Sequence, residues 1–252
     1  HKLHFIIAPM VHWPEVMMEY EEKEKILFSA DGFGKFGTLD TDEDWDCEAR
    51  RYYFNIVGKY GMQVQAVLKK ASQLDIKTIC PLHGPILRKD LGHYINKYDI
   101  WSKYETESEG VYIACASIHG NTLKVCEKLK EMLEEKGAAK VVLADLSRED
   151  WAEAVEDSFR YGKIVFASAT YDMGIFTPMR DLLLNLKEKN YQNKKVAIIE
   201  NGTWAPNAAR CMKEIISTMK NVEIVEPVVT IKSTLKEENI EKLNELAENL
   251  LK

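Results

Sequence analysis

The run Val111-Tyr112-Ile113-Ala114-Cys115-Ala116-Ser117-Ile118-His119-Gly120-Asn121-Thr122 passes from an apolar strand, through small polar residues, into the start of a helix. The helical pattern follows at once over 122–136, where Val125, Leu129, Met132 and Leu133 fall on one face with Glu and Lys opposite. The same alternation continues to the end of the chain. Strands are predicted at 111–116, 140–144, 163–168, 195–200 and 222–225, the last extended by 228–231, with helices at 148–159, 177–187, 206–219 and 236–251. Strands that alternate with helices predict an α/β fold, a doubly wound parallel sheet of five strands, with its ligand at the carboxyl ends of the strands.

Three strand ends carry chemistry on that edge. Ser117, Ile118, His119, Gly120, Asn121 and Thr122 bring hydroxyls and backbone N–H groups to a helix N-terminus, where the dipole is positive, which is a cradle for phosphate. An ordinary Asn or Thr cap on a turn is the other explanation of that loop alone. The third strand ends in Ser168-Ala169-Thr170-Tyr171-Asp172-Met173-Gly174, and the fourth in Glu200-Asn201-Gly202-Thr203-Trp204-Ala205-Pro206. Tyr171 and Trp204 can flank a flat aromatic ring, and Gly174 and Gly202 admit a close backbone approach. Trp204 read by itself is equally a packing or oligomer contact. Together, Ser168, Thr170, Tyr171, Asp172, Gly174, Asn201, Gly202, Thr203 and Trp204 join the first loop as candidate cofactor-binding residues.

The chain has 252 residues, 34 Lys and Arg against 40 Asp and Glu, and a formal charge of -6. No basic stripe stands out, which argues against nucleic acid or an anionic membrane surface as partner. With 46% hydrophobic and 29% charged residues the composition is globular, and no apolar run spans a bilayer. No secretory leader is apparent, so the cytoplasm is the expected compartment. The five cysteines are odd in number and never in CxxC spacing, which argues against a disulfide scaffold, a zinc ribbon or a rubredoxin-type iron site. Cys80, Cys115 and Cys126 lie in apolar runs and are expected to pack as small hydrophobes.

Residues 1–102 read as a separate domain, joined by a polar, Glu-rich linker at 103–110 to the domain at 111–252. Strands are predicted at 3–7, in a run ending at 27–29, and at 78–80, with helices at 46–58, 62–74 and 87–98. His12, Asp31 and His83 each sit just after an apolar strand, where side chains can converge. Two imidazoles and a carboxylate suit zinc or iron, although their spacing alone does not demand a metal. The acidic run 40–48 is expected to be a solvated loop or a partner-facing surface. Three short strands and three helices make a small core. His1 opens directly into a strand, so the chain is expected to begin within something larger.

Ala-Pro-x-x-His-Trp-Pro around His12, Leu-Phe-Ser-x-Asp-x-Phe-Gly around Asp31, Pro-x-His-Gly-Pro around His83 and the run 48–58 resemble segments of the flavodiiron proteins, or A-type flavoproteins. So do the loops at 117–122, 170–179 and 200–206. The resemblance implies the C-terminal part of a metallo-β-lactamase-like αββα domain, followed by a flavodoxin-like domain that binds FMN. It implies that His12 and His83 each bind one iron of a non-haem diiron centre and that Asp31 bridges the two. It also implies reduction of dioxygen to water or of nitric oxide to nitrous oxide, rubredoxin or a similar redox donor, and a head-to-tail homodimer. The family's upstream His-x-Glu-x-Asp motif does not occur in this sequence. A companion N-terminal chain, cleavage or truncation would account for that. The alternative is an FMN electron-transfer module with an incomplete, inactive metal site; a zinc hydrolase would leave the flavin loops unexplained.

Overall fold

The structure, a computed structural model, describes residues 1–40 and 42–252. The chain divides into two compact units, His1–Glu105 and Thr106–Lys252.

The first unit opens with β1 (Leu3–Ile7), β2 (Met17–Glu21) and β3 (Ile26–Phe28), joined as an antiparallel meander. Where the sequence suggested one run ending at 27–29, the structure has this hairpin. The charged stretch after β2 turns because the Glu21 carboxylate accepts the backbone N–H groups of Lys23 and Glu24 and Lys25 adopts a left-handed φ of 59°. Helix α1 (Trp45–Tyr52) runs through a π-type turn (Tyr53–Val57) and a tight turn (Gly58–Tyr60) into α2 (Gly61–Ala71). The acidic run at 40–48 is therefore helical from Trp45 onward, with Asp46 accepting from His93 and paired to Lys97; its Thr41 lies outside the described residues. Strand β4 (Thr78–Cys80) joins β3 in parallel and completes the order β1-β2-β3-β4. Helix α3 (Leu91–Ser102) begins later than predicted. Leu87 exchanges two backbone hydrogen bonds with Ile79, and Asp90 is left-handed, so the chain is held extended up to the helix start. Tyr53, Tyr98 and Trp101 meet edge to face or tilted at centroid distances of 5.2 to 5.4 Å and form the aromatic centre of this unit.

The second unit follows the expected alternation. It contains β5 (Ser108–Ala116), α4 (Asn121–Glu135), β6 (Val141–Asp145), α5 (Trp151–Arg160), β7 (Tyr161–Tyr171) and β8 (Gly174–Ile175). These are followed by α6 (Thr177–Glu188), β9 (Gln192–Asn201), α7 (Ala208–Ile216), β10 (Lys220–Ile231) and α8 (Glu237–Leu251). The five long strands are parallel in the order β6-β5-β7-β9-β10, and the two-residue β8 folds back antiparallel on β7. Strand β5 begins at Ser108, so the end of the stretch at 103–110 is already sheet. The runs 222–225 and 228–231 are one strand whose register shifts between Val225 and Val229, around Pro227, which has no N–H to give the ladder. Val125, Leu129 and Leu133 of α4 and Leu243, Leu246 and Leu250 of α8 bury against Ile113, Val165, Ile199 and Ile231. Cys115 and Cys126 are buried there as small apolar groups, while Cys80 is half-buried. Among the described residues no helix is long and apolar enough to cross a membrane.

Candidate functional site

Strand order reverses between β5 and β7, and β5, β7, β9 and β10 deliver their carboxyl ends to one edge. There Ser117, Ile118, His119, Asn121, Thr122, Thr170, Asn201, Gly202 and Thr203 line a cleft of about 240 Å³, with Ala169 and Ser233 added to the residues expected from the sequence. Two helices begin beside it, and they differ in what satisfies their first turn. At α7 the Thr170 hydroxyl oxygen accepts the N–H groups of Asn207 and Ala208 at 3.0 and 3.2 Å, and Glu200 accepts that of Ala209 at 2.9 Å. At α4 no side chain caps the helix, and Gly120 precedes it with φ of 83°. The Ser117 hydroxyl oxygen is buried and has no hydrogen-bond partner among the described residues. An uncapped helix N-terminus beside an orphaned hydroxyl is what a phosphate monoester satisfies, so this loop fits the phosphate end of FMN.

The remaining loop residues divide by role. The Asn201 carboxamide donates to Ser233 O at 2.9 Å and accepts Ser233 N–H at 3.1 Å, which ties the ends of β9 and β10 together rather than leaving the side chain open. Ser168 is buried, and its hydroxyl donates to Ala169 O at 3.0 Å. Gly202 is required sterically: a Cβ there would stand 2.7 Å from Pro206 Cα. Gly174 is not, since its nearest contacts would be ordinary, and it serves the β7–β8 turn opposite Tyr171. Tyr171, Asp172, Gly174, Gly120 and Trp204 do not line the cleft. Tyr171 and Met173 are exposed, and Trp204 is 86% exposed, leaving aromatic and apolar surface available around the cleft. Asn207 was not singled out in the sequence. It clasps the second loop by donating from Nδ2 to Met173 O at 2.5 Å, a role that only the fold discloses.

In the first unit the three ligand candidates converge. His12 Nε2 lies 3.4 Å from Asp31 Oδ2, and His83 Nε2 lies 3.6 Å from Asp31 Oδ1, so each carboxylate oxygen faces a different imidazole. The Asp31 loop is pinned by Ser29 Oγ donating to Gly32 O at 2.6 Å, by Leu82 N–H to Ala30 O and by Phe33 N–H to the Tyr98 hydroxyl at 2.8 Å. His83 Nδ1 is 2.9 Å from Lys35 O. A carbonyl only accepts, so Nδ1 donates to Lys35 O, which leaves Nε2 as the ring nitrogen that faces Asp31. Gly34 makes that seat possible, since a Cβ would fall 2.3 Å from His83 Cε1. Tyr52, unnoticed in the sequence beyond its place in the run at 48–58, packs edge-on against His83 at 4.6 Å and near His12 at 6.3 Å. Its hydroxyl is buried without a hydrogen-bond partner among the described residues, and burial, with the Asp31 charge second, pushes its pKa up. Among the described residues, however, no group of three or more His, Cys, Asp or Glu side chains is arranged to hold a metal ion. Three donors do not fill the coordination shells of two irons.

The family model for the ODP family beta lactamase matches residues 1–84. The chain is 28% identical to a nitric oxide reductase of Moorella thermoacetica over 98% of its own length and 64% of the relative's. It superposes on the flavodiiron protein of Giardia intestinalis with a TM-score of 0.88 at 25% identity, covering 99% of this chain and 64% of that one. The rubredoxin oxygen:oxidoreductase of Desulfovibrio gigas shares the fold, with a TM-score of 0.89 at 23% identity over 98% of this chain and 64% of that one. The chain thus spans about two thirds of the length of these proteins and matches them along nearly all of its own. With a β-lactamase-type match over its first unit, a doubly wound second unit and relatives matched along nearly all of its length, the chain is similar in sequence and fold to the flavodiiron proteins.

Proposed function

We propose that the chain binds FMN through its second unit and serves in an oxidoreductase that reduces dioxygen or nitric oxide. The observation that carries the first part is the buried, unpartnered Ser117 hydroxyl at the uncapped start of α4. Ser117, Asn121, Thr122 and the backbone of 118–122 would hold the phosphate. The Thr170 O–H, whose oxygen already accepts two N–H groups, retains a proton to donate into the cleft. Tyr171 and Trp204 would shield the flavin ring. Bound there, FMN supplies a carrier that takes electrons from a redox donor and releases them one at a time.

The second part rests on His12, Asp31 and His83, held so that a carboxylate stands between two imidazoles. Iron held by them requires donors beyond these three residues, and no chemical step is assigned through it. The names of the relatives point to nitric oxide or dioxygen as substrate and to rubredoxin as donor. A head-to-tail homodimer and a cytoplasmic location complete the proposal. The competing reading, an FMN electron-transfer module, is favoured by the lack of a complete metal-ligating group among the described residues.

Iron and FMN quantified on one purified sample of intact mass separate the two. Two irons per FMN, with consumption of dioxygen or nitric oxide, is the result expected of the reductase. FMN without iron would assign the chain to electron transfer alone. In the reductase, Asp31→Ala removes iron and spares flavin; normal iron content in that variant would overturn the assignment of Asp31.

A further inference from the structure

Among the described residues that line the cleft at the end of β5, His119 alone has a side chain able to carry charge. The contributions of β7, β9 and the turn after β10 are hydroxyl, amide, alanine and glycine groups. Charged residues close in sequence are engaged elsewhere or stand outside the lining. Glu200, one residue before Asn201, is buried and accepts from the Thr230 hydroxyl at 2.8 Å and from Ala209 N–H at 2.9 Å. Lys124 on α4, Asp172 in the β7–β8 turn and Lys232 after β10 are exposed and do not line the cleft. The His119 imidazole is itself exposed, and it forms no side-chain hydrogen bond or ion pair among the described residues.

A phosphate monoester brings to this cleft a charge that hydrogen bonds alone do not match. Its second ionisation lies near about pH 6, so it is largely a dianion at neutral pH. The Ser117 and Thr122 hydroxyls and the backbone N–H groups at the start of α4 can satisfy its oxygens, but none of them carries a full positive charge. An imidazole is the side chain that ordinarily changes charge between about pH 5 and 8, and an anion beside it favours the cation. Gly120, with φ of 83°, turns the chain from His119 directly into α4, so the imidazole belongs to the loop that carries the helix start.

We infer that His119, as its imidazolium, pairs with the phosphate of the bound flavin and makes the cleft select FMN over unphosphorylated riboflavin. The inference rests on the flavin reading of this cleft and deepens it by naming the residue that recognises the phosphate charge. Ser117 and the helix start serve the phosphate oxygens at any pH; His119 adds an interaction that requires a proton. FMN binding is thus coupled to protonation of this side chain, and riboflavin binding is not. The His119 contribution is complete at low pH and is lost as pH rises through the range in which the bound-state imidazolium gives up its proton.

The test is a titration of the ligand-free full chain, wild type and His119→Gln, with FMN and separately with riboflavin, followed by quenching of flavin fluorescence from pH 6 to 8.5. Circular dichroism verifies that the variant is folded. The ionisation of FMN itself is common to both proteins, so the ratio of their affinities at each pH isolates the side chain. The wild type is expected to bind FMN about tenfold more tightly than the variant at pH 6 and less than about twofold more tightly at pH 8.5. Riboflavin binds more weakly than FMN, with the same affinity in both proteins at every pH. A ratio for FMN that does not change with pH, or an equal loss of FMN and riboflavin affinity in His119→Gln, would overturn the inference and leave FMN binding in place. Absence of FMN binding to the wild type would instead overturn the flavin reading, and the role of His119 with it.

Discussion

At the scale of single residues, two groups show how the structure trades stability against a site. The Ser117 hydroxyl is buried with no partner among the described residues, a cost of about 1 kcal/mol or more that a bound ligand would relieve. Ser117→Ala is therefore expected to leave the ligand-free chain as stable or slightly more stable, while FMN affinity falls about tenfold; urea melts and flavin titration read the two effects. Gly34 is the counterpart in the first unit. Gly34→Ala drives a methyl into the His83 ring and should cost about 1–3 kcal/mol, with metal retention lost and FMN retained. Lys194 is a third case, away from both sites. Its ammonium is buried, donates to Phe159 O at 2.7 Å, and desolvation brings its pKa down to about 7. Between pH 7 and 10.5 the unfolded chain binds a proton there that the folded chain does not, so this residue makes stability rise with pH across that window. Lys194→Met, measured against the wild type by denaturant melts, should show its most favourable relative stability at pH 7 or below, and that advantage should shrink as pH approaches 10.

At the scale of elements, α4 and α7 begin at the same edge, but only α7 is capped from within, by Thr170 and Glu200. On the proposed reading, that difference selects α4 for the anion. Much of this was legible in the sequence, because the change from strand to helix period around Ser117 and the glycines and hydroxyls after each strand are local signals. His12, Asp31 and His83 were legible for the same reason, as each follows a strand. What was not legible depends on distant partners. The β2–β3 hairpin turns on the Glu21 carboxylate within a stretch of uniform charge. The late start of α3 depends on the pairing of Leu87 with Ile79, and the use of the Asn201 amide depends on Ser233. Tyr52 lacked any motif, and only the packing of α1 brings its ring against His83.

At the scale of the whole molecule, the stabilities of the two compact units are expected to respond separately. Ligand that binds only the folded second unit stabilises it by mass action, about 2.7 kcal/mol at a hundredfold excess over its dissociation constant. Calorimetry should resolve two transitions, of which FMN shifts only the one belonging to Thr106–Lys252. The first unit, which leaves Leu3, Phe5, Ile7, Met17 and Phe28 between 43% and 57% exposed, is expected to be the less stable of the two. The central claim is that the cleft at the end of β5 is a flavin site built around Ser117. Titration of the ligand-free chain with FMN, followed by quenching of flavin fluorescence in wild type and Ser117→Ala, tests it most directly. Saturable one-to-one quenching is expected in the wild type, and about tenfold weaker binding in the variant. No quenching, or equal affinity in the two proteins, would contradict it.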